Sequence, residues 1–269
     1  MNVLLTRVLT LALTLLLSAW SFITSADTKQ SADASAREQR TVHLASLDWP
    51  PYAGSSLPGG GASVTVLRAA LAEMGYELEV DFYPWARVIT IAADESNKYA
   101  GYFPEYFNQD IGQQYLYSDS IGSGPLGLAE NTAHEVSWHS LEDLSGFSIG
   151  IVSGYVNTAE FDQMVADGAL KAFPVVADKQ NIRKVAYGRI DLAVIDQYVL
   201  DYMLMTDPEL MPLKDKVRIN NHLLENKQLF VCFKRTYPHL ADVLNEGLQR
   251  IDVARIQQEY MSDMANSFR

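Results

Sequence analysis

Residues 146–168 read GFSIGIVSGYVNTAEFDQMVADG, and this stretch decides the fold class. The apolar run at its start has the length and character of a buried strand, and it ends on Gly154. NTAEFDQMVADG then reads as a capped helix that stops at Gly168. A strand, a glycine turn and a short helix are thus joined within about two dozen residues, as α/β units require.

The same alternation runs outward in both directions. TVHLAS (41–46), ELEVDFYP (77–84), GPLGLAE (124–130), KAFPVVA (171–177), IDLAVID (190–196) and KQLFVCFK (227–234) read as strands. SVTVLRAALAEMGY (63–76) reads as a helix, with Ser63 as its N-cap and Gly75 as its stop. WARVITIAADES (85–96), DKQNIRKVAYG (178–188) and QYVLDYMLM (197–205) read as further helices, and 239–261 as one or two amphipathic ones. Strands that alternate with helices of about ten residues predict an α/β fold with mainly parallel sheets. No repeat of solenoid length is present.

Composition narrows the function. The 269 residues carry a net charge of −12, with 48% apolar and 20% charged side chains. Residues 1–26 have Arg7 as their only charge, an apolar run over 8–17, and the small residues Thr24 and Ala26 at the places of a cleavage site. They read as a secretory signal peptide, followed by a polar linker over 27–40. Its removal leaves 20 basic and 33 acidic residues. With no Lys/Arg cluster, a nucleic-acid partner is not expected. The single cysteine, Cys232, lies in an apolar run and reads as a small buried hydrophobe; it does not follow the signal, so it is no lipid anchor. The five histidines are scattered without metal-ligand spacing, and no nucleophile elbow or P-loop occurs, so neither metal nor cofactor nor catalytic residue is assigned.

In open α/β sheets, ligands bind beyond the carboxyl ends of strands. In DWPPY, Trp49 and Tyr52 either wall a small-molecule site or pack on their own domain. In SGYVN, Ser153 and Tyr155 flank a turn that either offers backbone N–H groups to an acceptor or simply reverses the chain. Asp196 ends a strand and is either the next helix's N-cap or the partner of a ligand cation. Arg87, in PWARV, either forks a carboxylate or pairs with a surface acid. GYFPEYFNQDIGQQYLYSD (101–119) packs six aromatic rings and three acids with no Lys or Arg.

The ordered series of DWPPY, GYFP, YSDSIG, LEDLSGFSIGIVSGY and GRIDLAVIDQYVLDYML resembles the bacterial extracellular solute-binding proteins of family 3, the amino-acid-binding periplasmic components of ABC transporters. The resemblance spans residues 41–265. It implies a periplasmic-binding-protein type II fold with a ligand cleft between two lobes, 41–122 plus 228–269 and 123–227. It implies that Tyr52 covers the ligand, that Tyr102, Phe103 and Glu105 belong to the first-lobe wall, that Ser153 and Tyr155 form the second-lobe turn, and that Asp196 pairs with an ammonium. One departure stands out. The family's carboxylate-binding Arg falls on Ile111 here. Either Arg87 supplies that charge, or the ligand has no carboxylate and is held by rings and hydrogen bonds.

The expected function is capture of a small polar solute by a monomeric periplasmic protein that delivers it to an inner-membrane ABC permease. The alternatives are a sensory partner of a membrane receptor and a dehydratase-like enzyme using Glu105 as its acid.

Overall fold

The computed structural model describes residues 40–267. The expected signal peptide and all of the linker but Arg40 lie outside the described residues. Ten strands form one sheet: β1 (Thr41–Ser46), β2 (Glu77–Phe82), β3 (Gly101–Tyr106), β4 (Tyr115–Tyr117), β5 (Gly122–Asn131), β6 (Ser148–Val152), β7 (Lys171–Val175), β8 (Leu192–Asp196), β9 (Val217–Ile219) and β10 (Glu225–Lys234). Their order is β2-β1-β3-β10-β5-β8-β6-β7, with β4 on β10 and β9 on β5. Eight α-helices accompany them: α1 (Ala62–Glu73), α2 (Trp85–Ala93), α3 (Gln109–Gln114), α4 (Ala159–Ala166), α5 (Asp178–Ala186), α6 (Gln197–Thr206), α7 (Pro238–Leu248) and α8 (Val253–Ser267). Among the described residues, no helix is long and apolar enough to cross a membrane.

The sheet is mixed. β1 and β3 run parallel, as do β6 with β7 and β6 with β8. The two long strands β5 and β10 are antiparallel to each other and to their outer neighbours β8 and β3. Parallel neighbours therefore flank an antiparallel centre, which is where the chain passes from one half of the sheet to the other and back. β10 changes partner at Leu229, which faces Gly122 of β5 on one side and Tyr106 of β3 on the other.

One apolar cluster runs through both halves. Leu44, Leu67, Leu71, Phe233 and Leu244 are fully or almost fully buried in the first. Leu128, Leu144, Ile149, Phe161 and Val199 are fully buried in the second. At roughly 1.5–3 kcal/mol per buried side chain, this cluster dominates the stability of both halves.

One cap differs from the sequence reading. Ser63 lies inside α1, and Gly61 with φ of 109° occupies the cap. A Cβ at Gly61 would collide with the carbonyl of Tyr52. Only glycine allows this approach. It lets the first amides of α1 donate to the preceding loop, Ala62 N–H to Pro51 O at 3.0 Å and Ser63 N–H to Tyr52 O at 2.8 Å. The helix start thereby fixes the loop that carries Trp49 and Tyr52.

Candidate ligand-binding cleft

Trp49 and Tyr52 stack at 4.8 Å with 22° between their planes, and both are buried. Tyr52 Oη donates to Asp196 Oδ2 at 3.0 Å. Asp196 ends β8 and also caps α6. Its Oδ1 accepts the N–H groups of Tyr198 at 2.8 Å and Val199 at 3.2 Å. The two sequence readings of Asp196 are thus compatible: one oxygen caps the helix and the other faces the tyrosine. Burial raises this carboxyl to about 7, against the lowering effect of the Val199, Tyr52 and Tyr198 hydrogen bonds. The contact passes over Gly124 of β5, where any Cβ would strike both Tyr52 Oη and Asp196 Oδ2.

A second link joins the halves of the sheet. Trp85, the first residue of α2, donates from Nε1 to Gly154 O at 2.9 Å. Its ring meets Tyr155 edge-on at 5.8 Å and Tyr102 at 5.8 Å. Asp178 opens α5 nearby, with the side chains of Tyr155 and Trp49 close enough to favour its charged form. Burial raises its carboxyl to about 7. In the sequence Asp178 marks only a helix start. Its position directly after β7, at a strand-to-helix junction, was the signal available.

β3 contributes the third acid. Glu105 is 4% exposed, and burial lifts its carboxyl to about 8. Its Oε1 accepts Tyr106 N–H at 2.9 Å and its Oε2 accepts Tyr102 Oη at 3.2 Å. Lys227 of β10 is the cation that lowers its pKa. That lysine is buried, sits 5.3 Å from the Tyr106 ring centroid and pairs with Glu225 at 3.5 Å. Tyr106 itself is buried, meets Trp49 edge-on at 6.1 Å, and has a hydroxyl with no hydrogen-bond partner.

Trp49, Trp85, Glu105, Tyr106, Tyr155 and Leu229 line an open cavity of about 30 Å³. A wider mouth of about 320 Å³ adjoins it, sharing Trp49, Trp85 and Tyr155 and adding Asp48, Tyr83 and Asp178. Among the described residues, no group of three or more His, Cys, Asp or Glu is placed to hold a metal ion. The arrangement can hold a group with hydrogen-bond donors or positive charge against acids and ring faces.

Of the residues singled out in the sequence, Trp49, Glu105 and Tyr155 line the cavity, whereas Tyr52 and Asp196 meet each other and line neither space. Tyr102 backs the site through Glu105. Phe103 is fully buried and lines neither space; its carbonyl accepts Ser46 Oγ at 2.8 Å. Ser153 is exposed and donates its N–H to Val175 O, so Gly154 rather than Ser153 makes the cross-cleft bond. Arg87 is exposed, with its guanidinium 4.8 Å from the Tyr83 ring centroid, and lines neither space. It lies beside Tyr83, a wall residue of the mouth, without lining the mouth itself. Ile111 sits on α3, partly buried against the core.

No family model and no curated protein matches the chain. Solved structures do. An ancestral arginine-binding protein bound to arginine aligns with a TM-score of 0.66 at 16% identity, covering 83% of this chain and 97% of that one. The amino acid ABC transporter substrate-binding protein AbpA from Streptococcus pneumoniae, bound to L-arginine, gives 0.67 at 15% identity, with 87% and 98% covered. A histidine kinase sensor domain with similarity to periplasmic binding proteins gives 0.66 at 17% identity, with 84% and 95% covered. The chain has the two-lobed fold of these proteins.

Proposed function

We propose that this chain is a periplasmic solute-binding protein of the family 3 type. It captures a small polar solute bearing an amino group between lobe 1 (41–122 plus 228–269) and lobe 2 (123–227). β5 and β10 serve as the hinge strands, and closure brings Trp85 to Gly154 and Tyr52 to Asp196. The observation that carries this reading is Asp196. Its carboxylate is fixed by the α6 cap, yet its second oxygen meets only a tyrosine hydroxyl from the loop of the other lobe. Such an oxygen suits an ammonium.

Delivery to an ABC permease by the monomer is the first role. A sensory role is the second, favoured by the shared fold of a histidine kinase sensor domain. The dehydratase alternative draws on Glu105 alone, whose oxygens accept one hydrogen bond each from Tyr102 and Tyr106, and no partner base is assigned to it. We therefore assign no catalysis.

The test is isothermal titration of the purified chain with amino acids, amines, short peptides and sugars. One-to-one binding that weakens in Asp196→Asn supports the reading. Silence across the panel, in protein shown by circular dichroism to be folded, counts against it.

A further inference from the structure

We infer that the cleft is built for an organic amine without an α-carboxylate, whose ammonium is held by the Tyr106 hydroxyl together with Glu105, Asp178 and Asp196. This rests on the reading of the cleft as a solute site and narrows its ligand class.

Three independent observations converge. First, the Tyr106 hydroxyl is buried in a residue only 7% exposed and has no partner. Native proteins seldom leave a buried hydroxyl unpaired, and exceptions point to a bound group. Tyr106 lines the cavity, and its hydroxyl lies within electrostatic reach of Asp196, Asp178, Tyr155 and Glu105. Its surroundings are therefore acidic.

Second, neither the cavity nor its mouth is lined by a Lys, Arg or His, whereas Glu105 lines one and Asp48 and Asp178 line the other. Lys227 stands against the Tyr106 ring and lines neither space. A ligand carboxylate entering here would meet acids, with Arg87 and Lys227 set behind the rings of Tyr83 and Tyr106 rather than in the walls. An ammonium would meet acids and a free hydroxyl oxygen.

Third, the walls between these acids are Trp49, Trp85 and Tyr155. Ring faces attract ammonium groups and shed water from a methylene chain. A wall of rings rather than oxygens suits an organic cation better than a metal ion. The cavity of about 30 Å³ admits a group the size of an aminomethyl head, and the mouth of about 320 Å³ takes the remaining chain.

Matched pairs that differ only in the α-carboxylate test this: 1,4-diaminobutane against ornithine, and 1,5-diaminopentane against lysine, titrated calorimetrically into the full chain. The expected result is that each diamine binds at least tenfold more tightly than its amino acid. Tyr106→Phe and Asp178→Asn should each weaken the diamine about tenfold. Tyr106→Phe removes only the unpaired hydroxyl, so it serves as the variant that stays folded. An amino acid that binds as tightly as its diamine, or more so, overturns the ligand class and leaves solute capture standing. Unchanged diamine affinity in Tyr106→Phe overturns the role of the hydroxyl. Silence from every amine alongside binding of another solute overturns this inference and the amino group of the proposed solute but leaves solute capture standing, and silence from every solute overturns both readings.

Discussion

Replacing Tyr106 with Phe should stabilise the unliganded protein while weakening its ligand. The hydroxyl is buried without a partner and its ring is held by Trp49 and Lys227. Removing the oxygen leaves both ring contacts in place. An unsatisfied buried hydroxyl costs about 1–3 kcal/mol, so the variant should gain that order of stability. For a domain of this size, about 2–4 °C per kcal/mol converts the gain to a midpoint several degrees higher. The same hydroxyl is assigned to the ammonium, so loss of about tenfold in affinity, ~1.4 kcal/mol, should accompany the stabilisation. Thermal unfolding by circular dichroism and titration with 1,4-diaminobutane read the two effects. Their opposite signs separate a binding role from a structural one. A lower midpoint would show that the hydroxyl is paired in the folded state and would refute the reasoning.

Further outcomes follow from the same geometry. Gly124→Ala forces apart Tyr52 and Asp196, and overpacking of this kind costs about 1–3 kcal/mol, so both the melting midpoint and solute affinity should fall; retained affinity would contradict the placement of that contact. Glu105, Asp178 and Asp196 are raised to about 8, 7 and 7, so between about pH 4 and 8 the folded chain holds more protons than the unfolded one. Unliganded stability should therefore decline as pH rises through that window and level off above it. Asp196→Asn keeps a good helix cap and removes one of the three groups, so its midpoint should fall less from pH 5 to 8.5; an equal fall would contradict the burial of that carboxyl. Arg87→Ala should leave solute affinity and fold unchanged, because Arg87 is exposed and lines neither the cavity nor its mouth; loss of binding would return Arg87 to the site.

Much of the fold was legible because strand and helix differ in hydrophobic period and because Gly and Asn/Thr mark the junctions. GFSIGIVSG became β6 and NTAEFDQMVADG became α4, capped by Thr158. The mixed sheet was not legible, since an apolar run such as KQLFVCFK carries no sign of direction. Ser63 misled because a serine near a helix start usually caps it, whereas the close approach of Gly61 to Tyr52 moved the cap. The site was half legible. Asp196, Tyr52 and Trp49 sit at strand ends and stiff loops, where sequence position already suggests a ligand. Asp178 looked like an ordinary helix start, and no single-sequence signal told that Tyr155 and Trp49 would converge on it. Trp85 and Arg87 are two residues apart, about 200° around a helix, so only one could face the cleft, and the sequence does not say which.

The central claim, that the solute sits between the lobes, is tested most directly by tryptophan emission. Trp49 and Trp85 line the cavity, while Trp138 packs at a tilt against His222 elsewhere, with ring centroids 4.2 Å apart. Titration with a solute that binds calorimetrically should give a saturable change in emission at the same midpoint, and the Trp49→Phe/Trp85→Phe variant should lose that change. Calorimetric binding at one-to-one stoichiometry with unaltered wild-type emission would place the solute outside the cleft and contradict the account.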